Sequence, residues 1–424
     1  MQKMTQSLDR HGTEGRVWLP VVILCLNFGV VFFDRNALNF LMPFIGAELH
    51  LTNLEIGALA AALSLTWAVS GFLVGAVSDR FNSRKPLLIV AILCFSLCSI
   101  LSGFATSFLT LFGARLLMGA AEGPILPLSQ SLVAAGVPSR VRGMAMGIVQ
   151  SVGSNLLGSF IAPIALVALA GWLGWRGAFY LAGLPGLICA LAVWRFVDDP
   201  ARSSGSRSSG AGLSLAKAFL FRNITICCIL STLIVGYLAV AYAFLPIYLT
   251  QVAGYNAESM SRLVSVLGLS AATGGFLVPA LSDRFGRRPI MIAIPLLGAM
   301  LPLAALAIPA SAWTMAAFFF VGWLIIGTLS LVMATIPSET VELHEVATAL
   351  AIVMGVGEVC GGVGGPIIAG LVADKTGLGG VMWILALLAL AASVTAMLLR
   401  ETLPARAASL KLALADGELA APLS

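Results

Sequence analysis

Asp34, Arg35, Arg115, Glu122 and Glu358 stand inside long apolar stretches of a 424-residue chain. A charge in hydrocarbon is expensive, so such residues pair with one another or face a water-filled cavity. Two kinds of chemistry suit the set. A guanidinium can hold an anion, and a buried carboxyl can take up and release a proton. The competing reading is a group of ion pairs that only hold helices together.

Asp34 and Arg35 are adjacent, so on a helix their side chains point about 100° apart. The two can serve different neighbours. Arg115 and Glu122 are seven residues apart, two turns along one helix face. With the N-terminus in the cytoplasm, Asp34 and Arg115 lie at heights that match well enough for contact. In general a nearby guanidinium favours the ionised form of an acid, and burial disfavours it. An acid under both influences can change its protonation with conformation. Ionised, Asp34, Glu122, Arg35 and Arg115 sum to zero charge. A bound monocarboxylate adds one negative charge, and one proton on Asp34 or Glu122 restores the balance.

These residues need elements that cross a membrane. Of the chain, 59% is hydrophobic and only 10% charged, with a mean hydropathy of +1.00. An ordinary soluble domain carries about 25% charged residues. The composition excludes a soluble globular protein, a disordered protein and a nucleic-acid binder. About 20 mostly apolar residues are needed to cross a bilayer as a helix. Twelve runs qualify, from 17–42 to 379–400, with span 4 at 108–134, span 5 at 141–168 and span 6 at 174–197. The first run is too long for a signal-peptide core.

Charge sets the orientation. With a cytoplasmic N-terminus, nineteen Lys and Arg fall in inside segments and three outside, with Arg35 and Arg115 in spans. That asymmetry fits the positive-inside rule with both termini cytoplasmic. The predicted plan is a tail at 1–16, a six-helix bundle at 17–197, a linker at 198–221, a second bundle at 222–403 and a tail at 404–424. The linker contains Ser203-Ser204-Gly205-Ser206-Arg207-Ser208-Ser209-Gly210, a flexible composition.

The two bundles look like copies. Residues 70–81 read SGFLVGAVSDRF and residues 274–285 read GGFLVPALSDRF, identical at nine of twelve positions. The same offset of 204 aligns Val152-Gly153 with Val356-Gly357, and Gly158 with Gly362. Six spans separate each pair, so both copies insert in the same direction. Parallel repeats of this kind place a substrate site at their interface near the midplane.

The loops Asp79-Arg80-Phe81-Asn82-Ser83-Arg84-Lys85 and Asp283-Arg284-Phe285-Gly286-Arg287-Arg288 resemble the signature loop of the major facilitator superfamily. The resemblance covers about residues 17–403 and implies an all-α membrane fold of twelve helices in two bundles. Asn82 and Pro279 replace residues that are usually Gly. The acid at a helix end beside basic residues suits a charge lock between the bundles, built on Asp79, Arg80, Arg84, Asp283, Arg284 and Arg287.

Asp34-Arg35 together with Arg115, Glu122, Gly123 and Pro124 is similar to the anion:cation symporter family. That family includes proton-coupled carriers of sugar acids. The resemblance implies that Arg35 holds a substrate carboxylate, that Asp34 and Glu122 carry protons, and that Arg115 is their switching partner. Trp67 stands where sugar-acid members often have Tyr, Ser154 where some have Gln, and Glu358 where many have Asn. Glu358 could bind a substrate hydroxyl or amine, take a second proton, or be a structural acid. Asn155 and Gln150 join the candidate substrate contacts, because an unpaired amide in hydrocarbon is costly.

The expected function is proton-coupled uptake of an organic carboxylate, such as a sugar acid or an aromatic acid, by alternating access. An exporter of small organic compounds is the alternative. Span 5 lacks the Gly-Pro signature of drug antiporters, and a buried Arg35 suits anions. An enzyme would need a nucleophile with a base, or a metal cluster. His11, His50 and His344 lie near span ends or in tails, and no metal or cofactor is implied. The seven cysteines sit in apolar runs without zinc or disulfide spacing. The expected partners are a small organic anion, protons and the lipid bilayer, not nucleic acid. One chain already makes a complete two-bundle carrier, so a monomer is expected.

Overall fold

In the computed structural model, residues 2–81, 84–199, 219–307, 311–342 and 345–403 are described, with the side chains of 2–17, 72, 74–81 and 139 outside that description. The tail 404–424 and most of the linker, 200–218, therefore lie outside the described residues. Every regular element among the described residues is helical.

Span 1 is Trp18–Leu49 within the helix Gln2–Leu49, span 2 is Asn53–Gly71 within the helix Asn53–Phe81, and span 3 is Arg84–Gly103. Span 4 starts at Phe108 behind a capping box, in which Ser107 and Thr110 bond each other's backbone N–H groups. It is broken into Phe108–Glu122 and Ile125–Gly136 at Gly123-Pro124. Proline has no N–H to continue the helical ladder.

Eleven described helices are long and apolar enough to cross a membrane. One of them, Arg140–Phe196, has 57 residues. At 1.5 Å per residue that is about 86 Å, against a hydrocarbon core of about 30 Å. Gly174 breaks it with φ 71° and ψ 167°, a conformation that glycine adopts without a Cβ clash. The stretch is thus two crossings, spans 5 and 6, which gives the twelve expected from the sequence. The remaining spans are 7 (Arg222–Gln251), 8 (Ala257–Phe285), 9 (Arg287–Ala307), 10 (Ala312–Thr340), 11 (Val346–Thr376) and 12 (Leu378–Ala396). Large apolar side chains such as Leu97, Ile188, Leu387 and Val394 point outward, while charges lie inside, as a lipid solvent demands. All seven cysteines are free, and Cys94 and Cys360 lie on exposed faces rather than in the core.

The chain forms two compact units. The first contains the described residues of 1–207, 240–272 and 366–381, and the second those of 208–239, 273–365 and 382–424. Inside the first unit, span 5 packs on span 1 at backbone contact. A Cβ at Gly29 would lie 2.9 Å from the Gly153 carbonyl oxygen. Small residues permit such approaches between membrane helices. The N-terminus of span 2 is capped by span 11, where Asp374 accepts from the N–H groups of Asn53 and Leu54, each at 3.0 Å.

The repeat seen in the sequence recurs in the packing of each unit. In the first unit Gly71 meets Gly123, joining spans 2 and 4. In the second, Gly274 meets Gly327, joining spans 8 and 10. Gly327 is the partner of Gly123 at the offset of 204. Spans 5 and 11 each carry a π-helical stretch, Ser154–Ile161 and Gly357–Val363, at matching places in the repeat. Such stretches often mark functional sites. In span 5 the stretch is pinned by Asn36, whose Nδ2 donates to the Gly158 carbonyl at 3.0 Å.

Candidate functional site

The first unit gathers the buried charges of spans 1 to 4. Phe32 and Arg35 lie one turn apart on span 1. The Arg35 Cζ stands 5.5 Å from the centroid of the Phe32 ring and 5.2 Å from that of Trp67 on span 2. These distances suit cation–π attraction. The close approach of spans 4 and 5 fixes the surroundings of the two rings: a Cβ at Gly123 of span 4 would strike the Trp67 carbonyl, and one at Gly158 of span 5 would strike Phe32. Arg35 is half-buried, and none of the described ion pairs involves it. Its guanidinium edge therefore keeps its donors available.

Asp34 is 0% exposed, Arg115 0% and Glu122 1%, so whatever they do is done out of water. The sequence places Asp34 and Arg115 close enough to touch, but no described ion pair joins them. Span 3 stands between. Ser99 Oγ lies 2.6 Å from Asp34 Oδ1, and Arg115 Nη2 donates to Ser102 Oγ at 3.0 Å. Arg115 Nη1 also reaches the Met118 sulfur at 3.1 Å, and its Cζ lies 5.2 Å from the Phe179 ring centroid on span 6. Arg115 feels the charges of both Asp34 and Glu122, and Glu122 feels Arg35. Neither oxygen of Glu122 has a hydrogen-bond partner among the described residues, nor does Asp34 Oδ2. Glu122 ends the first half of span 4, just before the break at Gly123-Pro124.

Ser99 and Ser102 are site residues that the sequence reading missed. Their signal is present: Ser96, Ser99 and Ser102 recur every third residue in an otherwise apolar span, which puts three hydroxyls along one face.

The other candidates are placed differently. Ser154 is buried and donates to the Gln150 carbonyl at 2.6 Å, so its hydroxyl serves its own span. The Gln150 side chain is exposed and accepts from Gln130 Nε2 at 3.1 Å. Asn155 is half-buried. No described contact ties these three to Arg35. Glu358 belongs to the second unit, half-buried in the π-helical stretch of span 11.

Of the first signature loop, the side chains of Asp79 and Arg80 lie outside the described ones, and Arg84 is half-buried at the start of span 3. The second loop makes a charge cluster within the second unit. Arg287 pairs with Asp283 and with Glu339 of span 10, the latter at 2.9 Å. Its backbone N–H donates to Glu401 at 2.9 Å. Arg284 is exposed and stacks on Phe285. Glu339 and Glu401, which sequence spacing did not single out, thus join the start of span 9 to span 10 and to the segment after span 12. The Arg287 side chain is only 9% exposed, and removing one partner of such a charge is costly. Glu339→Ala is expected to destabilise the second unit by about 3 kcal/mol, read as a lower melting temperature in lipid nanodiscs.

Twelve crossings, a parallel repeat and a charged cluster inside the helices define a membrane transporter. The chain belongs to the Major Facilitator Superfamily, whose sequence model matches residues 24–364 and again 258–421. It is 31% identical over 380 residues to the "probable 4-methylmuconolactone transporter" of Cupriavidus pinatubonensis, covering 87% of each chain. It is 28% identical to the 3-(3-hydroxy-phenyl)propionate transporter of Escherichia coli, covering 80% of this chain and 86% of that one. A bacterial homologue of the human lysosomal transporter Spinster, in an inward-facing and unoccupied conformation, shares the fold. It superposes with a TM-score of 0.74 at 20% identity, over 96% of this chain and 99% of that one. The protein is a multi-pass membrane transporter, and both of these relatives are transporters rather than enzymes.

Proposed function

We propose that the protein carries an organic carboxylate into the cell together with at least one proton, by alternating access of the bundles 17–197 and 222–403. In this reading it resides in the cell membrane as a monomer, with both termini and the linker 198–221 cytoplasmic. The observation that carries the reading is Arg35: a half-buried guanidinium inside a span, flanked by two aromatic rings, with no described carboxylate paired to it. A planar fork of donors suits a carboxylate, which it can hold by two parallel hydrogen bonds.

The proton follows from charge. A carboxylate entering beside Asp34 and Glu122 brings a third negative charge against two guanidinium groups, in a place of low dielectric. One proton restores neutrality, and Glu122, out of water and without a donor, is a suitable carrier beside Asp34. Arg115, held between them by span 3, is the partner whose contacts change. Asp79, Arg80, Arg84, Asp283, Arg284 and Arg287 would form the gate on the cytoplasmic side.

The rings of Phe32 and Trp67 against Arg35 favour flat, unsaturated acids over polyhydroxylated ones, since a sugar would leave its hydroxyls facing apolar surface. Relatives whose names specify a methylmuconolactone and a hydroxyphenylpropionate agree in kind. Ser154, Asn155, Gln150 and Glu358 would complete the substrate contacts.

Uptake into proteoliposomes tests the reading. With an acid-outside pH gradient, benzoate-like and muconate-like acids should accumulate inside, and a protonophore should abolish the accumulation. Accumulation indifferent to the gradient, or acid-driven expulsion of organic cations, would replace symport by facilitation or by export.

A further inference from the structure

Ser99 has one hydroxyl hydrogen and two acceptors in reach. Asp34 Oδ1 lies at 2.6 Å and the Phe179 carbonyl oxygen at 3.0 Å. One hydrogen can be shared between two acceptors only by weakening both bonds. The two contacts are both full hydrogen bonds only when the hydrogen facing Asp34 belongs to Asp34. The carboxyl O–H then donates to Ser99 Oγ, and the serine O–H donates to Phe179. When Asp34 is ionised, the serine hydrogen turns to the carboxylate, which is the stronger acceptor, and the Phe179 carbonyl loses it.

We propose that Ser99 is a positioning residue that transmits the protonation state of Asp34 to span 6, by switching its single hydrogen between Asp34 and the Phe179 carbonyl. The proposal rests on the reading of Asp34 as a proton carrier. The neighbouring hydroxyl shows no such conflict: Ser102 donates to the Cys98 carbonyl at 2.8 Å and accepts from Arg115.

The packing keeps Ser99 in place. A Cβ at Gly183 of span 6 would lie 2.8 Å from the Ser96 carbonyl oxygen and 3.3 Å from Ser99 Cβ, so spans 3 and 6 meet at backbone contact here. The hydroxyl has little choice but to exchange partners. Phe179 also holds Arg115 against its ring. The residue that gains or loses a bond through its carbonyl is therefore the one that flanks the guanidinium, and a proton on Asp34 is felt at Arg115 through span 6 as well as through charge.

The charged and titratable groups around Asp34 are few. Span 4 contributes Arg115 and Glu122, span 1 Arg35, and span 3 Cys98. Span 6 contributes Arg176, one turn from Phe179, which is engaged by Glu48 and the Ala105 carbonyl, and Tyr180, whose hydroxyl donates to the Gly103 carbonyl. Span 5 brings no described charged side chain to the cluster.

Infrared difference spectra of the full chain in lipid nanodiscs, recorded through a pH titration, follow the C=O stretch of protonated carboxyls without any substrate. A band absent from Asp34→Asn identifies Asp34. In Ser99→Ala that band should move to higher frequency, because the carboxyl has lost its acceptor. Its midpoint should move by about one pH unit, a tenfold change in proton affinity. Ser99→Thr, which keeps the hydroxyl, should restore both. Ser99→Cys, with a much weaker donor, gives the same readout should the alanine variant not fold. A Ser99→Ala band that coincides with the wild-type band in frequency and midpoint overturns the proposal and leaves Asp34 as a proton carrier. An Asp34→Asn spectrum with every wild-type band still present sinks the proton-carrier reading and the proposal with it.

Discussion

Arg35→Ala should abolish substrate binding while leaving the protein folded. Removing one partner of a desolvated, hydrogen-bonded charge pair costs about 2–5 kcal/mol, or about 30-fold to a few thousand-fold in affinity. The fold should survive because Arg35 is in no described ion pair. Its removal strands no hydrogen-bonded carboxylate. The rings of Phe32 and Trp67 then close on each other as apolar surface. Arg35→Lys is the sharper variant. It keeps the charge, yet a lysine ammonium has no planar fork and is more strongly hydrated. Its affinity should fall at least about tenfold. A thermal-shift screen of organic acids at two pH values measures both. Wild-type stabilisation by the same acids in Arg35→Ala would remove Arg35 from the substrate site.

The second large effect concerns the proton. Asp34→Asn and Glu122→Gln each fix the neutral form of one acid. In proteoliposomes they should lose accumulation driven by a pH gradient, while exchange of labelled for unlabelled substrate persists. The reason is the return step. A carrier that cannot release its proton can shuttle loaded in both directions, but it cannot come back empty with its charge restored. Uptake against the gradient should drop to the level of a protonophore-treated control, and counterflow should stay within a few-fold of wild type. Glu122→Gln is also expected to leave stability nearly unchanged, since neither oxygen of Glu122 holds a described hydrogen bond to lose. Should both amides concentrate substrate as the wild type does, proton coupling belongs to other residues, with Glu358 the next to replace.

Within the protein, the two expectations depend on different features. In the proposed cycle Arg35 would act through a face left open beside two rings. Asp34 and Arg115 would act through span 3, whose serines separate them. Direct contact would neutralise the pair permanently. A hydroxyl between the two charges keeps each available to a different partner, and that availability is what a cycle of protonation requires.

The sequence by itself determined the membrane class, the twelve crossings and the repeat. Each depends on composition or period, and a bilayer enforces both: a helix of about 20 apolar residues has no other stable place. The repeat was legible because Asp283-Arg284-Phe285 copies Asp79-Arg80-Phe81 at a fixed offset, and the packing of Gly123 and Gly327 follows that offset. The buried charges were legible too, since an ionisable residue in an apolar run stands out. Their partners were not. Serine is polar enough to bond and small enough to pass for helix packing, so Ser99 and Ser102 gave little warning. Glu339 and Glu401, far from Arg287 in sequence, gave none. The break at Gly174, the π-helical stretches of spans 5 and 11, and the stacking of Arg35 on Trp67 emerged only in three dimensions. Contacts between helices depend on which faces meet and how closely their backbones approach, and no single span's periodicity encodes that.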